Sequence, residues 1–168
     1  MDPNRKWYAL YVKSRHEYVT QGELGQKVIE TFLPSVKKLR QWKDRRKFID
    51  FPLFPGYLFV YMYENPEEYI NVLRTRGVVR FLSAGMNCPI PVSSEEINTL
   101  KLLIESGQHL DVYPHLKEGN PVRIRRGPLS GAVGIINDRV DRSIFVVNID
   151  MLGRSVGVNI YADDIELN

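Results

Sequence analysis

Hydrophobic positions along the chain alternate between strand-like and helix-like spacing. Residues 7–13, WYALYVK, read as a strand. Ser14 and Glu17 then spell S-x-x-E, a capping box that predicts a helix start. Tyr18, Gly22, Gly25, Ile29 and Phe32 follow at helical spacing, and Pro34 ends the segment. Two glycines in a helix each cost about 1 kcal/mol relative to alanine. They predict close approach of that helix to a sheet. Residues 36–51, VKKLRQWKDRRKFIDF, read as a strand, a charged turn near Asp44 and a second strand.

The next stretch, PLFPGYLFV at 52–60, is unusual. Extended to Tyr63 and divided by period two, it puts Tyr57, Phe59, Tyr61 and Tyr63 on one face and Leu58, Val60 and Met62 on the other. A half-exposed strand alternates with polar residues, and this one does not. Two covers fit the aromatic face. One is the chain's own core, with helices packed on both sides of a central strand. The other is a partner, because a buried tyrosine hydroxyl needs a hydrogen-bond acceptor and tyrosine is enriched at interfaces.

The strand ends at a marked helix start, with Asn65 as N-cap, Pro66 in the first turn, and Glu67 and Glu68 at the positive end of the dipole. Arg74 and Arg76 lie at the other end, and Gly77 closes it. A strand GVVRFL at 77–82 follows. A loop with Cys88, Pro89 and Pro91 leads to S-S-E-E, ending at Glu96, a second capping box. A helix bearing Ile97, Leu100 and Ile104 runs from there to Gly107. Residues 108–118 lack periodicity and read as a linker. From Gly119 onward, short β-branched runs (VRIR, AVGII, SIFVVNI, SVGVNIY) separated by Gly, Asp and Asn predict a small all-β barrel. The expected fold is therefore an α+β domain over 1–107, an antiparallel sheet with flanking helices, then a linker over 108–118 and a β-barrel domain over 119–168.

Composition narrows the function classes only slightly. The 168 residues carry a net charge of +3 and a pI near 9.0, compatible with nucleic-acid contact. One cysteine, Cys88, leaves no internal disulfide framework or cysteine-based metal site, and fits a reducing cytoplasm. No apolar run approaches the ~20 residues of a membrane span, and MDPNRK has no apolar core of a secretory signal behind it.

Candidate chemistry is sparse. His16, His109 and His115 are scattered, without the spacing of metal ligands. Cys88 has no base that the sequence can place beside it. The adjacent Asp163 and Asp164 would point apart on a strand. GPLSGAVG, residues 127–134, lacks the lysine and following helix of a phosphate loop. The reading expects no enzyme, no metal and no cofactor.

Binding features are stronger. Lys37, Lys38, Arg40, Lys43, Arg45, Arg46 and Lys47 place seven cations in eleven residues against Asp44 alone. Such a cluster attracts phosphates, and it equally serves a solvated edge or an acidic protein surface. Trp42 either stacks on a base or anchors the hairpin. In VRIRRGPLSGAVGII, residues 122–136, Gly127 and Gly131 permit positive φ and Pro128 fixes the turn between them, which is how a tiny barrel turns a corner.

These features in this order resemble the NusG family of transcription elongation factors, over nearly the whole chain from Trp7 to Leu167. WYALYVKSRHE is similar to the opening of the family's N-terminal domain, PLFPGYLFV to its signature strand and RTRGVVRF to the segment after its second helix. VRIRRGPLSGAVG resembles a KOW motif, and MLGRSVGVNI the strand-turn-strand that completes that SH3-like barrel.

The resemblance implies a cytoplasmic, monomeric factor. Its N-terminal domain would bind the clamp helices of the largest RNA polymerase subunit through Tyr11, Pro55, Tyr57 and Phe59. It implies contact of Lys13, Arg15 and His16 with the non-template DNA strand, beside the cations Lys43, Arg45 and Arg46 read from the hairpin. Leu152, Gly153 and Arg154 match the barrel's contact loop for Rho or a small-subunit ribosomal protein. The short hairpin region and R-T-R-G resemble specialised antiterminators such as RfaH more than housekeeping NusG. The His-Thr-Thr contact of RfaH is absent, its place taken by Glu68, Tyr69 and Ile70. The β-branched runs of the C-terminal domain predict a constitutive barrel, not the helical hairpin of RfaH. Alternatives are a housekeeping NusG and a KOW protein that grips RNA or the ribosome directly.

Overall fold

Two strands built almost wholly of apolar residues organise the first half of the chain. The computed structural model describes residues 4–41, 45–83, 89–116, 119–139 and 142–160. They fall into two compact units, divided between residues 91 and 92. In the first, β1 (Arg5–Val12) pairs antiparallel with β5 (Tyr57–Tyr63), setting Trp7 opposite Tyr61, Ala9 opposite Phe59 and Tyr11 opposite Tyr57. Strand β2 (Glu30–Phe32) flanks β5, and β6 (Val78–Phe81) flanks β1, giving the order β2-β5-β1-β6. A separate two-stranded ribbon is formed by β3 (Ser35–Gln41) and β4 (Arg46–Pro52), the expected basic hairpin. Trp42, Lys43 and Asp44, between its strands in sequence, lie outside the described residues, as do Cys88, Asp163 and Asp164.

One face of the sheet forms the main core. Tyr8, Leu10, Val12, Leu58, Val60 and Met62 pack with Leu24 of α1 (Glu17–Gln26), Val72 of α2 (Pro66–Leu73), and Ile29, Leu33 and Phe81. Burial of each large apolar side chain contributes about 1.5–3 kcal/mol. Helix α2 starts as its sequence predicts, with Asn65 Oδ1 accepting from the Glu68 N–H at 2.8 Å.

Helix α1 departs from expectation. It begins at Glu17 with His16 at the N-cap and no side-chain capping bond, two residues later than a capping box starting at Ser14 would place it, and the Glu17 carboxylate is engaged by Gly56. It stops at Gln26 instead of running to Phe32; Val28 has φ 60°, and residues 30–32 turn into β2. The recurrence of Ile29 and Phe32 thus belongs to a turn and a strand, not to the helix. A Cβ at Gly22 or Gly25 would meet nothing within 4 Å, so these glycines do not serve close packing.

After a two-residue strand β7 (Pro91–Val92), the second unit opens with α3 (Ser94–Glu105), capped by Ser93 Oγ accepting from the Glu95 N–H at 3.2 Å. Strands β8 (Asp111–Pro114), β9 (Asn120–Arg123), β10 (Val133–Arg139), β11 (Arg142–Ile149) and β12 (Arg154–Ile160) form one antiparallel sheet in the order β8-β12-β11-β10-β9. Two expectations change here. The stretch 108–118 contains β8, paired with β12, where a linker was expected. Helix α3, expected in the first domain, lies against β10 and β11 of the second unit, which is therefore not β only. Ile97, Leu100 and Leu103 of α3 are buried, the Thr99 hydroxyl accepts from the Val133 N–H at 3.0 Å, and Arg123 pairs with Glu95 at 2.7 Å. The glycine turn behaves as its sequence predicts, with Gly127 at φ 78° and Gly131 at φ 90°.

Glu96 is the unusual residue of this unit. Its half-buried carboxyl is pushed up to about 7, first by burial and then by the charge of Asp150. A bond from the Asp150 backbone N–H and the nearby His115, itself 2.8 Å from Asp150, oppose the rise. The folded state thus favours the neutral acid. Its stabilising effect is complete below about pH 4.5, the ordinary value for a glutamate, and is lost as pH rises through about 7. Glu96→Gln removes that dependence. The variant should melt higher than the parent at pH 8 and close to it at pH 5, checked by thermal unfolding at both values.

Candidate docking and nucleic-acid interface

The end of the β1–β5 pair gathers the residues singled out for binding. The turn between β4 and β5 carries Pro55 and Gly56, and Gly56 is held on both sides. Its N–H donates to Glu17 Oε1 at 2.8 Å, and its carbonyl accepts from the Val12 N–H at 2.9 Å. Glu17 is buried, so this charge-assisted bond satisfies an acceptor that would otherwise be costly. Gly56 has φ 84°, and a Cβ there would lie 3.3 Å from the Tyr11 ring. Only glycine gives the turn that conformation without strain while leaving Tyr11 in place.

This clasp sets the aromatic patch. The rings of Tyr11 and Tyr57 lie 5.5 Å apart at an interplanar angle of 55°, and Pro55 is exposed beside them. Tyr11 is 38% exposed, Tyr57 is half-buried, and the Arg80 guanidinium sits 5.8 Å from the Tyr11 ring centre. The basic residues follow directly, because β1 ends at Val12. Lys13 and Arg15 are exposed, and His16 is half-buried with Nδ1 3.0 Å from the Ser14 carbonyl. Arg15 has φ 62°, a left-handed conformation that a side-chain-bearing residue rarely adopts and that recurs at functional sites. The Lys13 N–H is fixed by the Gly77 carbonyl at 2.8 Å.

Phe59 requires correction. Expected on the docking edge with Tyr57, it is fully buried, stacked on Phe32 of β2 at 6.1 Å. Trp7 and Tyr61 are buried on the same face, 5.1 Å apart, with the Arg5 guanidinium 4.5 Å from the centre of the Tyr61 ring. The aromatic stripe is thus core along its middle and open only at its ends, Tyr11 with Tyr57 at one and Tyr63 at the other. Period-two spacing assigns a face but not how far along it the cover extends.

The remaining candidates belong to other elements. Arg45 and Arg46 are exposed on the ribbon; Lys43 is outside the described residues. In the second unit, Gly153 and Arg154 are exposed and Leu152 is half-buried, after the single helical turn Asp150–Leu152. The three histidines remain scattered, His109 3.6 Å from Asp111 and His115 beside Asp150. Sequence reasoning missed Glu17, taken only as a capping residue, and Arg80. The signal for Glu17 would have been a helix-start acid facing a glycine turn, which no spacing rule connects across 39 positions.

Comparison with known proteins identifies the family. Residues 5–101 match the family model described as transcription termination factor nusG. The transcription termination/antitermination protein NusG of Chlamydia trachomatis is 28% identical, covering 96% of this chain and 91% of its own. That of Staphylococcus aureus is 29% identical over 96% and 95%. A solved NusG structure from Thermotoga maritima superposes with a TM-score of 0.54 at 25% identity, covering 97% of both chains.

The clasp makes a direct prediction. Gly56→Ala should lower the melting temperature by several degrees and shift the Tyr11 ring resonances. An NMR spectrum with those resonances unmoved would refute the close approach.

Proposed function

Because the chain belongs to the NusG family, as the match over residues 5–101 shows, we propose that it is a specialised antiterminator docking on RNA polymerase through Tyr11, Pro55 and Tyr57. The observation that carries this is the exposed aromatic patch held beside the cations Lys13 and Arg15 at one end of the sheet. The patch would bury against the clamp helices of the largest subunit. Lys13, Arg15 and His16 would then face the non-template DNA strand, and Arg45 and Arg46 of the ribbon would add phosphate contacts. Binding that favours the closed clamp shifts polymerase away from the open states that precede pausing. In the second unit, read as a KOW barrel, the loop at Leu152, Gly153 and Arg154 recruits Rho or a small-subunit ribosomal protein. The factor acts in the cytoplasm as a monomer.

Tyrosines at interface centres are typical anchors, and truncating one commonly costs more than 1 kcal/mol. The double change Tyr11→Ala with Tyr57→Ala should therefore abolish retention on immobilised RNA polymerase and cancel any suppression of pausing in an in vitro elongation assay. Both side chains are partly exposed, so the fold should still melt cooperatively. Retention equal to the parent's would overturn the reading. Retention by the parent should change little between low and moderate salt, since an apolar contact dominates it.

A further inference from the structure

The two-stranded ribbon has an exposed apolar pair set among charges. In its register Lys37 lies opposite Asp50, Leu39 opposite Phe48 and Gln41 opposite Arg46, so these residues share one face. Leu39 is 54% exposed and Phe48 is 64% exposed. The opposite face carries Phe51 with Lys38 and Ile49, Arg40 and Lys47. There the Lys38 ammonium already covers the Phe51 ring, 4.5 Å from its centre. Phe48 has no such cover among the described residues.

An exposed phenylalanine is costly to leave in water, and a lone hairpin gains little stability from it. Charge complementarity narrows what covers it. The described ribbon residues Lys37, Lys38, Arg40, Arg45, Arg46 and Lys47 are cations, against Asp50 alone. A polyanion is therefore the matching partner. A duplex offers phosphates but keeps its base faces stacked internally. A single strand offers both phosphates and free base faces. Successive cross-strand pairs on one face of a ribbon are spaced about 6.8 Å apart, so Lys37 and Arg46 stand one step either side of the Leu39–Phe48 pair.

We propose that the Leu39–Phe48 face of the ribbon is a stacking platform for single-stranded DNA, with Phe48 taking a base and Lys37 and Arg46 the flanking phosphates. This deepens the nucleic-acid contact proposed above and places it on residues different from Lys13, Arg15 and His16.

The test is fluorescence anisotropy of the full chain with labelled oligo(dT), with no polymerase present. Phe48→Leu keeps an apolar side chain but removes the π face, and should weaken binding about tenfold. Phe48→Trp should bind at least as tightly as the parent. The salt dependence should be the same for the parent and Phe48→Leu, whereas Arg46→Gln and Lys37→Gln should each reduce its slope by about one. A strand of abasic sugar-phosphate should bind the parent about as weakly as oligo(dT) binds Phe48→Leu; this arm involves no change to the protein. Equal affinity of Phe48→Leu and the parent, equal affinity for the abasic strand, or duplex DNA bound as tightly as oligo(dT) would each overturn the proposal. Polymerase retention through Tyr11 and Tyr57 is measured separately, so either reading can fail alone.

Discussion

The bond between the buried Glu17 carboxylate and the Gly56 N–H holds three elements in one arrangement. Glu17 is the first residue of α1, Gly56 ends the turn into β5, and the Gly56 carbonyl takes the Val12 N–H at the end of β1. A carboxylate at a helix start also gains from the positive end of the dipole. Removing it would leave a buried N–H unmatched and free the turn from the helix. The other side of α1 is tied in the same way, with Thr20 Oγ donating to the Arg76 carbonyl at 3.0 Å. The aromatic patch and the basic loop after β1 are therefore parts of one rigid corner. The backbones of Tyr11 and Lys13 are fixed relative to Pro55 and Tyr57 by main-chain bonds, so the chain at this corner is ordered before any partner arrives.

That rigidity explains why a sheet with two apolar faces can present a binding surface at all. Helices cover one face, and the other is buried through Trp7, Phe59 and Tyr61. Only where β1 and β5 end does the aromatic stripe reach water. Tyrosine suits that position, since its ring adds to the stripe while its hydroxyl tolerates solvent. On the proposed reading, a patch of two tyrosines and a proline would gain affinity from preorganisation more than from area.

Much of this was legible in the sequence. The capping of α2 by Asn65, the ribbon, the central strand and the glycine turn at 127–131 all rest on local chemistry and appear as read. What was not legible depended on distant contacts. The S-x-x-E at Ser14 has the letters of a capping box, but Glu17 is drawn to Gly56. Phe59 has the period of Tyr57, but Phe32 stacks on it from β2. Helix α3 looks continuous with the domain before it, yet its Thr99 and Glu95 bond to β10 and β9. In each case a tertiary partner outbid a local rule (propensity and period are weak beside one buried hydrogen bond or ring contact).

The two surfaces differ in physics in a way that suits a factor travelling with an enzyme along DNA. The aromatic corner is rigid and mostly apolar, so its hold depends on shape and changes little with salt. The ribbon is cationic with exposed rings at Phe48 and Phe51, so the hold proposed for it would be screened by salt and indifferent to base identity. A contact that reads no sequence can be made and released at every register as the template moves. A contact that depends on shape persists while the first exchanges. On the proposed reading, the corner anchors the factor to polymerase, and the ribbon lowers the free energy of whichever single strand is beside it. Exchanging these roles would fail, since a tight, shape-specific grip on DNA would itself become a pause.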